Sequence, residues 1–125
     1  MIVGLGIDLL EIGRVERELA RGEWPAGDSV FTAAEIRHGQ STGRPVGHFA
    51  ACFAAKEAAL KALGLPIEDL AMFREIEVAP DDAGLYTIGF HGRPKAAYTL
   101  LGARRARISI TQRAHHVGAT VILED

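Results

Sequence analysis

An acidic residue interrupts the first apolar segment of this 125-residue chain. In the stretch VGLGIDLLEI, Val3, Leu5, Ile7 and Leu9 alternate along one face, which predicts a half-buried β-strand. Asp8 stands in the middle of that strand, where a carboxylate is costly to bury unless a cation or hydrogen-bond donors meet it. The alternative interpretation is a carboxylate at the strand end that caps the following helix.

A second carboxylate lies on the strongest predicted helix, residues 46–63. Phe49, Phe53, Glu57 and Lys61 are four residues apart, so they share one ridge that begins aromatic and ends charged. The two rings should pin this ridge against the sheet and place Glu57 at the edge of the core. An ordinary surface ion pair between Glu57 and Lys61 fits the same spacing.

If Asp8 meets Glu57, two negative charges share a half-buried site, which requires a proton or a cation to neutralise them. Two carboxylates with open coordination positions suit Mg²⁺, which binds few protein oxygens together with water and substrate phosphate. Lys61, one helical turn beyond Glu57, would hold other oxygens of the phosphate. These three residues predict metal-assisted phosphate chemistry.

Other motifs carry weaker signals. Gly4 and Gly6 do not complete a dinucleotide-binding motif, because Leu9 stands where the third glycine belongs. The two glycines instead indicate close packing of another backbone. Cys52 lies among alanines, where a small buried side chain is expected rather than a nucleophile.

Arginines form a stripe on the first predicted helix. Arg14, Arg17 and Arg21 are spaced by three and four residues and therefore lie on one face. Glutamates nearby fit a solvated face of mixed charge. The other interpretation is a docking surface for an acidic partner.

The composition of the chain limits the class of protein and the kinds of site that are possible. The chain is 48% hydrophobic and 24% charged with a net charge of −2, which is typical of one globular domain over residues 1–125. One cysteine excludes an internal disulfide and a multi-cysteine zinc site. No apolar run approaches the ~20 residues that span a bilayer, no basic region precedes the first apolar stretch, and no basic block indicates nucleic acid. We therefore expect a cytoplasmic protein.

The elements that must position the candidates follow an α+β pattern. Thr32 and Glu35 form a capping-box signature at the start of a short second helix. The fold class predicted is a mostly antiparallel sheet packed on one long helix. The predicted strands are 2–10, 74–79, 85–90, 106–112 and 117–123, and the other predicted helices are 13–21 and 94–101, with a loop over 22–29.

Two segments resemble the signatures of holo-acyl-carrier-protein synthases, which are small phosphopantetheinyl transferases. They are GLGIDLLEIGRVE and FAACFAAKEAALKALG; FTAAEI, IEV and the final SIT and VGATVIL segments fall at the expected places. The resemblance implies transfer of 4′-phosphopantetheine from coenzyme A to a serine of an acidic acyl carrier protein, in fatty acid or polyketide biosynthesis. It further implies Mg²⁺ dependence and a homotrimer.

The resemblance also implies roles for individual residues. Asp8 and Glu57 match the Mg²⁺ ligands, Glu57 also matches the proposed general base, and Lys61 matches the lysine near the transferring phosphate. Arg14, Arg17 and Arg21 match the carrier-binding surface. The implied coenzyme A contacts are Lys56, Lys61, Gly84, Ser109 and Gln112.

The chain departs from the family pattern where the family holds the nucleotide end of coenzyme A. Cys52 stands where the family usually has arginine, and Gln112 where it usually has histidine. Arg37, Arg44 or Arg113 would have to compensate. The alternative function is a repurposed member of the fold that binds or acts on a carrier-tethered or other small ligand without phosphopantetheinyl transfer.

Overall fold

The computed structural model describes residues 1–22, 30–67 and 69–125. Most of the loop predicted over 22–29 lies outside these residues. Within them the predicted α+β class with antiparallel strand pairing is confirmed. The elements are β1 (Ile2–Glu11), α1 (Ile12–Ala20), α2 (Ala33–Ser41), α3 (Pro45–Leu63), a 3₁₀ helix (Leu70–Glu75), β2 (Ile76–Pro80), β3 (Tyr86–Phe90), α4 (Gly92–Leu100), β4 (Arg105–Gln112) and β5 (His116–Glu124).

The strands form two antiparallel sheets, and the long helix α3 contacts both. The first sheet has the order β1-β5-β4, with Asp8 opposite Ala119 in its register, and the second pairs β2 with β3. Helix α3 lies across β1 and β5 and also touches β2. In the described parts of the chain, no helix combines the length and the apolar character needed to cross a membrane.

Helix α3 begins at Pro45, one residue before the predicted start, and ends at Leu63 as predicted. Pro45 occupies its first turn, where a missing N–H costs nothing, and Gly64 ends it in the left-handed conformation with φ of 70°. The predicted aromatic ridge is buried, and its rings pack on other rings. Phe49 lies 4.8 Å from Phe31, and Phe53 stacks on Phe73 at 5.2 Å between ring centroids.

The face assigned to strand β1 from its apolar alternation is wrong. Leu5, Ile7 and Leu9 are 62%, 67% and 71% exposed, whereas the opposite face, including Asp8, is turned toward α3. Glycine explains the reversal, because a Cβ atom at Gly6 would overlap with a backbone carbonyl of α3. The prediction that strand glycines permit close backbone packing is confirmed, because α3 packs on the face of β1 that carries Gly4 and Gly6.

Several element boundaries differ from the sequence prediction. The predicted strand 74–79 begins only at Ile76, because the 3₁₀ helix before it is started by Asp69, whose carboxylate accepts the Ala71 N–H. Helix α4 begins at Gly92, two residues earlier than predicted, where the Glu75 carboxylate accepts the N–H of its next residue. The capping box at the start of α2 is confirmed.

Candidate active site

Strand β1 and helix α3 bring the two predicted carboxylates together. Asp8 is only 8% exposed, and its negative charge acts on the carboxyl group of Glu57 closely enough to raise the pKa of that group. Asp8 does not cap the following helix, since Glu11 occupies the cap position and makes no side-chain cap bond.

Electrostatics at this pair favour a neutralising partner. Burial, followed by the negative charge of Asp8, raises the pKa of Glu57 to about 7, and the positive charge of Arg14 opposes the shift. A carboxyl group with such a pKa is poised to exchange its proton near neutral pH. A divalent cation between the two oxygens would replace the proton and remove the repulsion.

Lys61 completes this group from the next turn of α3. Its ammonium group lies 3.1 Å from Asp8 Oδ1 and donates a second hydrogen bond, also 3.1 Å, to the carbonyl oxygen of Ile7. The side chain is 45% exposed, so the amine still faces solvent. Lys61 therefore reaches across to β1 rather than lying on the helix surface as a simple partner of Glu57.

The donor set suits a cation that keeps open coordination positions. Among the described residues, no cluster of three histidine, cysteine, aspartate or glutamate side chains offers a closed metal site. Asp8 lines a cavity of about 590 Å³, and with the neighbouring Glu57 it matches the preference of Mg²⁺ for a few protein oxygens plus water and phosphate. That cavity is lined by Asp8 and Lys61 together with Ser109, Thr111 and Thr120.

The arginine stripe of α1 starts beside the carboxylates. The Arg14 guanidinium lies 5.5 Å from the centre of the Phe53 ring and donates to Glu18 at 3.2 Å. Arg17 and Arg21 extend along the exposed side of the helix. This arrangement places positive charge at the rim of the site, as an acidic docking partner would require.

Lys56 does not lie in this site, despite its place beside Glu57 in the sequence. It is fully buried, and its ammonium group forms an ion pair of 2.6 Å with Glu35 and donates to the carbonyl oxygens of Val30 and Phe73 at 2.7 Å. Three acceptors use all three of its N–H groups. This placement does not support the predicted coenzyme A contact and makes Lys56 a core residue.

The remaining predicted contacts are spread over three cavities. Ser109 lines the carboxylate cavity, and with Gly84 it also lines a groove between β3 and β4. Gln112 lies elsewhere, in a cavity at the first turn of α3, where its amide packs on Gly47. The structure thus joins Ser109 to Asp8 and Lys61 but separates Gln112 from them within one chain.

Sequence reasoning missed the polar contacts beneath α3. His48 Nε2 bonds the Glu35 carbonyl oxygen at 2.9 Å, and the ring covers Cys52 with a sulfur–nitrogen distance of 3.7 Å. Cys52 is fully buried, which raises the pKa of its thiol and confirms the expected inert side chain. A signal existed for the buried Lys56–Glu35 pair, because a helix that is apolar on almost every face is buried over most of its surface, so a polar residue within it can lie in the core.

Comparisons with known proteins agree with this fold. A holo-[acyl-carrier-protein] synthase of Koribacter versatilis (strain Ellin345) is 40% identical over 126 residues and covers 100% of both chains. The crystal structure of the Neisseria meningitidis holo-[acyl-carrier-protein] synthase covers 100% of both chains with a TM-score of 0.85 at 28% identity. That of a Bacillus anthracis str. Ames synthase in complex with CoA (3′,5′-ADP) has a TM-score of 0.77 at 30% identity, covering 98% of this chain and 96% of its own. The chain belongs to the 4′-phosphopantetheinyl transferase superfamily, whose family model matches its residues 4–118.

Proposed function

We propose that this protein transfers 4′-phosphopantetheine from coenzyme A to a serine of an apo acyl carrier protein. The observation that carries the proposal is the convergence of Asp8 and Glu57 beside the Lys61 ammonium group. Relatives named holo-[acyl-carrier-protein] synthases, one of them solved with coenzyme A, support the same reaction. Residues 1–125 would act as one catalytic domain.

In this reaction the serine oxygen bonds to the phosphorus that carries the pantetheine arm. The bond from that phosphorus to the bridging diphosphate oxygen breaks, and 3′,5′-ADP leaves. Asp8 and Glu57 would hold Mg²⁺, which when bound supplies positive charge to the diphosphate. Glu57 accepts the serine proton, directly or through water, a role that suits a carboxylate whose pKa lies near 7. Lys61 neutralises the phosphate oxygens from the solvent side.

The carrier protein would dock on helix α1. Carrier proteins of this reaction are acidic, and Arg14, Arg17 and Arg21 present charge along a helix whose first arginine borders the carboxylate pair. Charge pairing of this kind steers encounter and fixes orientation more than it adds affinity. The chain's net charge of −2 makes the local arginine stripe, rather than the whole molecule, the attractive surface.

We also propose that the protein acts as a homotrimer. The support is the outer face of the first sheet, where the exposed leucine and isoleucine side chains of β1 stand beside Ile122 of β5. A contiguous apolar face of this kind marks an interaction surface. The cytoplasmic location stays a prediction.

Mass spectrometry of an apo carrier protein incubated with coenzyme A and Mg²⁺ tests the function. We expect a gain of one phosphopantetheine on the carrier with the wild-type protein. Asp8→Ala and Glu57→Gln should abolish the gain while the circular dichroism spectrum stays unchanged. Asp82→Asn, which alters an exposed carboxylate in the β2–β3 turn, is the matched control and should keep full activity.

The alternative function, a member of the fold that binds or acts on a small ligand without phosphopantetheinyl transfer, predicts no mass gain on the carrier. A folded protein that modifies none of several apo carriers, with Mg²⁺ and coenzyme A in excess, would replace the transferase proposal with that alternative. Full activity in Asp8→Ala or in Glu57→Gln would refute the assigned metal ligands.

A further inference from the structure

A negative charge borders the arginine stripe of α1 at Glu18. Each residue of a helix turns about 100° around the axis, so Glu18 lies about 40° from Arg14, between the stripe and the face that buries Val15. Glu16, by contrast, lies about 200° from Arg14 and is exposed on the far side of the helix. Glu18 therefore stands at the surface where an acidic carrier would dock, whereas Glu16 does not.

The Glu18 carboxylate binds the arginine whose charge reaches the carboxylate pair. Its Oε1 atom accepts the Nε–H of Arg14 at 3.2 Å, and the guanidinium carbon of that arginine lies 5.5 Å from the centre of the Phe53 ring. Arg14 is half-exposed, and its positive charge opposes the rise of the Glu57 pKa. In the free protein, the arginine best placed to receive a carrier is already paired with a carboxylate of its own chain.

The ion pair between Arg14 and Glu18 is easily broken. The Oε2 atom of Glu18 is buried and has no hydrogen-bond partner among the described residues, although the side chain as a whole is 17% exposed. A buried carboxylate oxygen without a donor has lost hydration that nothing replaces. Arginine before glutamate at a spacing of four is also the weaker order of such a pair on a helix. Turning the carboxylate into solvent breaks one hydrogen bond at Oε1 but restores hydration at Oε2.

We propose that Glu18 competes with the carrier for Arg14, so that carrier binding requires a carboxylate of the carrier to displace Glu18. A carboxylate that accepts two parallel N–H groups of the guanidinium makes one bond more than Glu18 makes, and it therefore replaces Glu18. A carboxylate that reaches only one N–H gains nothing over Glu18. Arg14 thus recognises only a partner that is placed to make both bonds. The inference rests on the proposed function, because that function makes an acidic carrier the partner.

Steady-state kinetics of Glu18→Gln, with an apo acyl carrier protein as the varied substrate, test the competition. Glutamine keeps the shape of the side chain and removes its charge. We expect the KM for the carrier to fall by about 2- to 5-fold, the range of an exposed ion pair, while kcat and the KM for coenzyme A stay at their wild-type values. Glu16→Gln is the matched control, because it changes the net charge equally on the far side of the same helix. It should leave all three constants unchanged.

The Arg14→Gln background separates displacement from general charge repulsion. If Glu18 acts through Arg14, adding Glu18→Gln to Arg14→Gln should leave the KM for the carrier as it is in Arg14→Gln alone. A fall of the same size in both backgrounds would overturn the inference, as would a single variant Glu18→Gln whose KM for the carrier does not fall. With transfer by the wild type, either result leaves the proposed function standing. A wild-type protein that modifies no carrier would overturn the proposed function and this inference with it.

Discussion

Gly6 on β1 lies directly against the carbonyl oxygen of Ala58 on α3, so closely that a methyl group on Gly6 would overlap with that oxygen. Asp8 is two residues further along the same face of the strand, and Glu57 immediately precedes Ala58. The missing side chain at Gly6 therefore sets the distance between strand and helix on which the carboxylate pair depends.

Adding the methyl group should separate the two elements. We expect Gly6→Ala to lower the free energy of unfolding by about 1–3 kcal/mol, the usual cost of overpacking. It should also weaken Mg²⁺ binding, because β1 carries Asp8 away from Glu57. Denaturant unfolding and calorimetric titration with Mg²⁺ measure the two effects. Gly89→Ala, in strand β3 with open space for the methyl group, should change neither, and an equally silent Gly6→Ala would contradict the close approach.

The raised pKa of Glu57 should make stability depend on pH in a way that Mg²⁺ reverses. The folded state holds this proton up to a pKa of about 7, while the ordinary value is 4.5. Between these values the folded state binds more protons than the unfolded state, so this group's contribution to stability falls as pH rises through that window. Mg²⁺ binds the ionised form and should stabilise the fold more at pH 8 than at pH 5.5.

Thermal unfolding at both pH values, with and without Mg²⁺, measures this linkage. Glu57→Gln serves as the reference, because the amide does not titrate and is a poor partner for the ion. The difference in Tm between wild type and Glu57→Gln should change with pH in the absence of metal. A difference that is flat from pH 5.5 to pH 8 would show that Glu57 titrates at its ordinary value.

The buried ion pair between Lys56 and Glu35 should respond differently to single and double substitution. Lys56→Met leaves the Glu35 carboxylate buried without its cation, which should cost about 3–5 kcal/mol of unfolding free energy. Glu35→Gln in the same chain removes that stranded charge while the amide still accepts a backbone N–H, so the double variant should recover part of the loss. Urea unfolding of both single variants and the double variant gives the coupling energy.

A different result would restore the role in coenzyme A binding that the sequence predicted for Lys56. If Lys56→Met unfolds like the wild type but binds coenzyme A more weakly, the lysine contacts the ligand. We expect the reverse, because its ammonium group has three acceptors inside the core.

Sequence patterns predicted the elements well where one local signal dominates. The glycine after the end of α3 and the capping box of α2 each act within a few residues, and each appears in the structure. The residues alone left the convergence of Asp8 with Glu57 open, and the family resemblance implied it, because both residues match the Mg²⁺ ligands.

The errors arise where packing partners decide the outcome. Apolar alternation in β1 indicates which residues share a face but not which face the helix covers, and Gly6 settled that choice by allowing the closer approach. In α3 Lys56 directly precedes Glu57, but consecutive residues of a helix point about 100° apart around its axis. Lys56 therefore points into the core, whereas Glu57 points toward Asp8. Neither fact follows from spacing alone.

The outer face of the first sheet gives the last prediction, which concerns assembly. Ile7 is 67% exposed at the centre of this face, between the similarly exposed Leu5 and Leu9. If copies of the chain pack through it, Ile7→Lys would bury an unpaired charge in the interface and dissociate the assembly. We expect the wild type at micromolar concentration to elute from size-exclusion chromatography with light scattering as a trimer, and Ile7→Lys to elute as a monomer that keeps its circular dichroism spectrum.

Leu85→Lys is the matched control for this change, because Leu85 is 68% exposed but lies in the connection between β2 and β3. Its variant should remain a trimer, since a lysine there stays in water. Ile7 also lines the cavity that contains Asp8 and Lys61, so the assembly face and the proposed site share a boundary. For that reason carrier modification should fall together with the trimer in Ile7→Lys, whereas a monomeric wild type with full activity would separate assembly from catalysis.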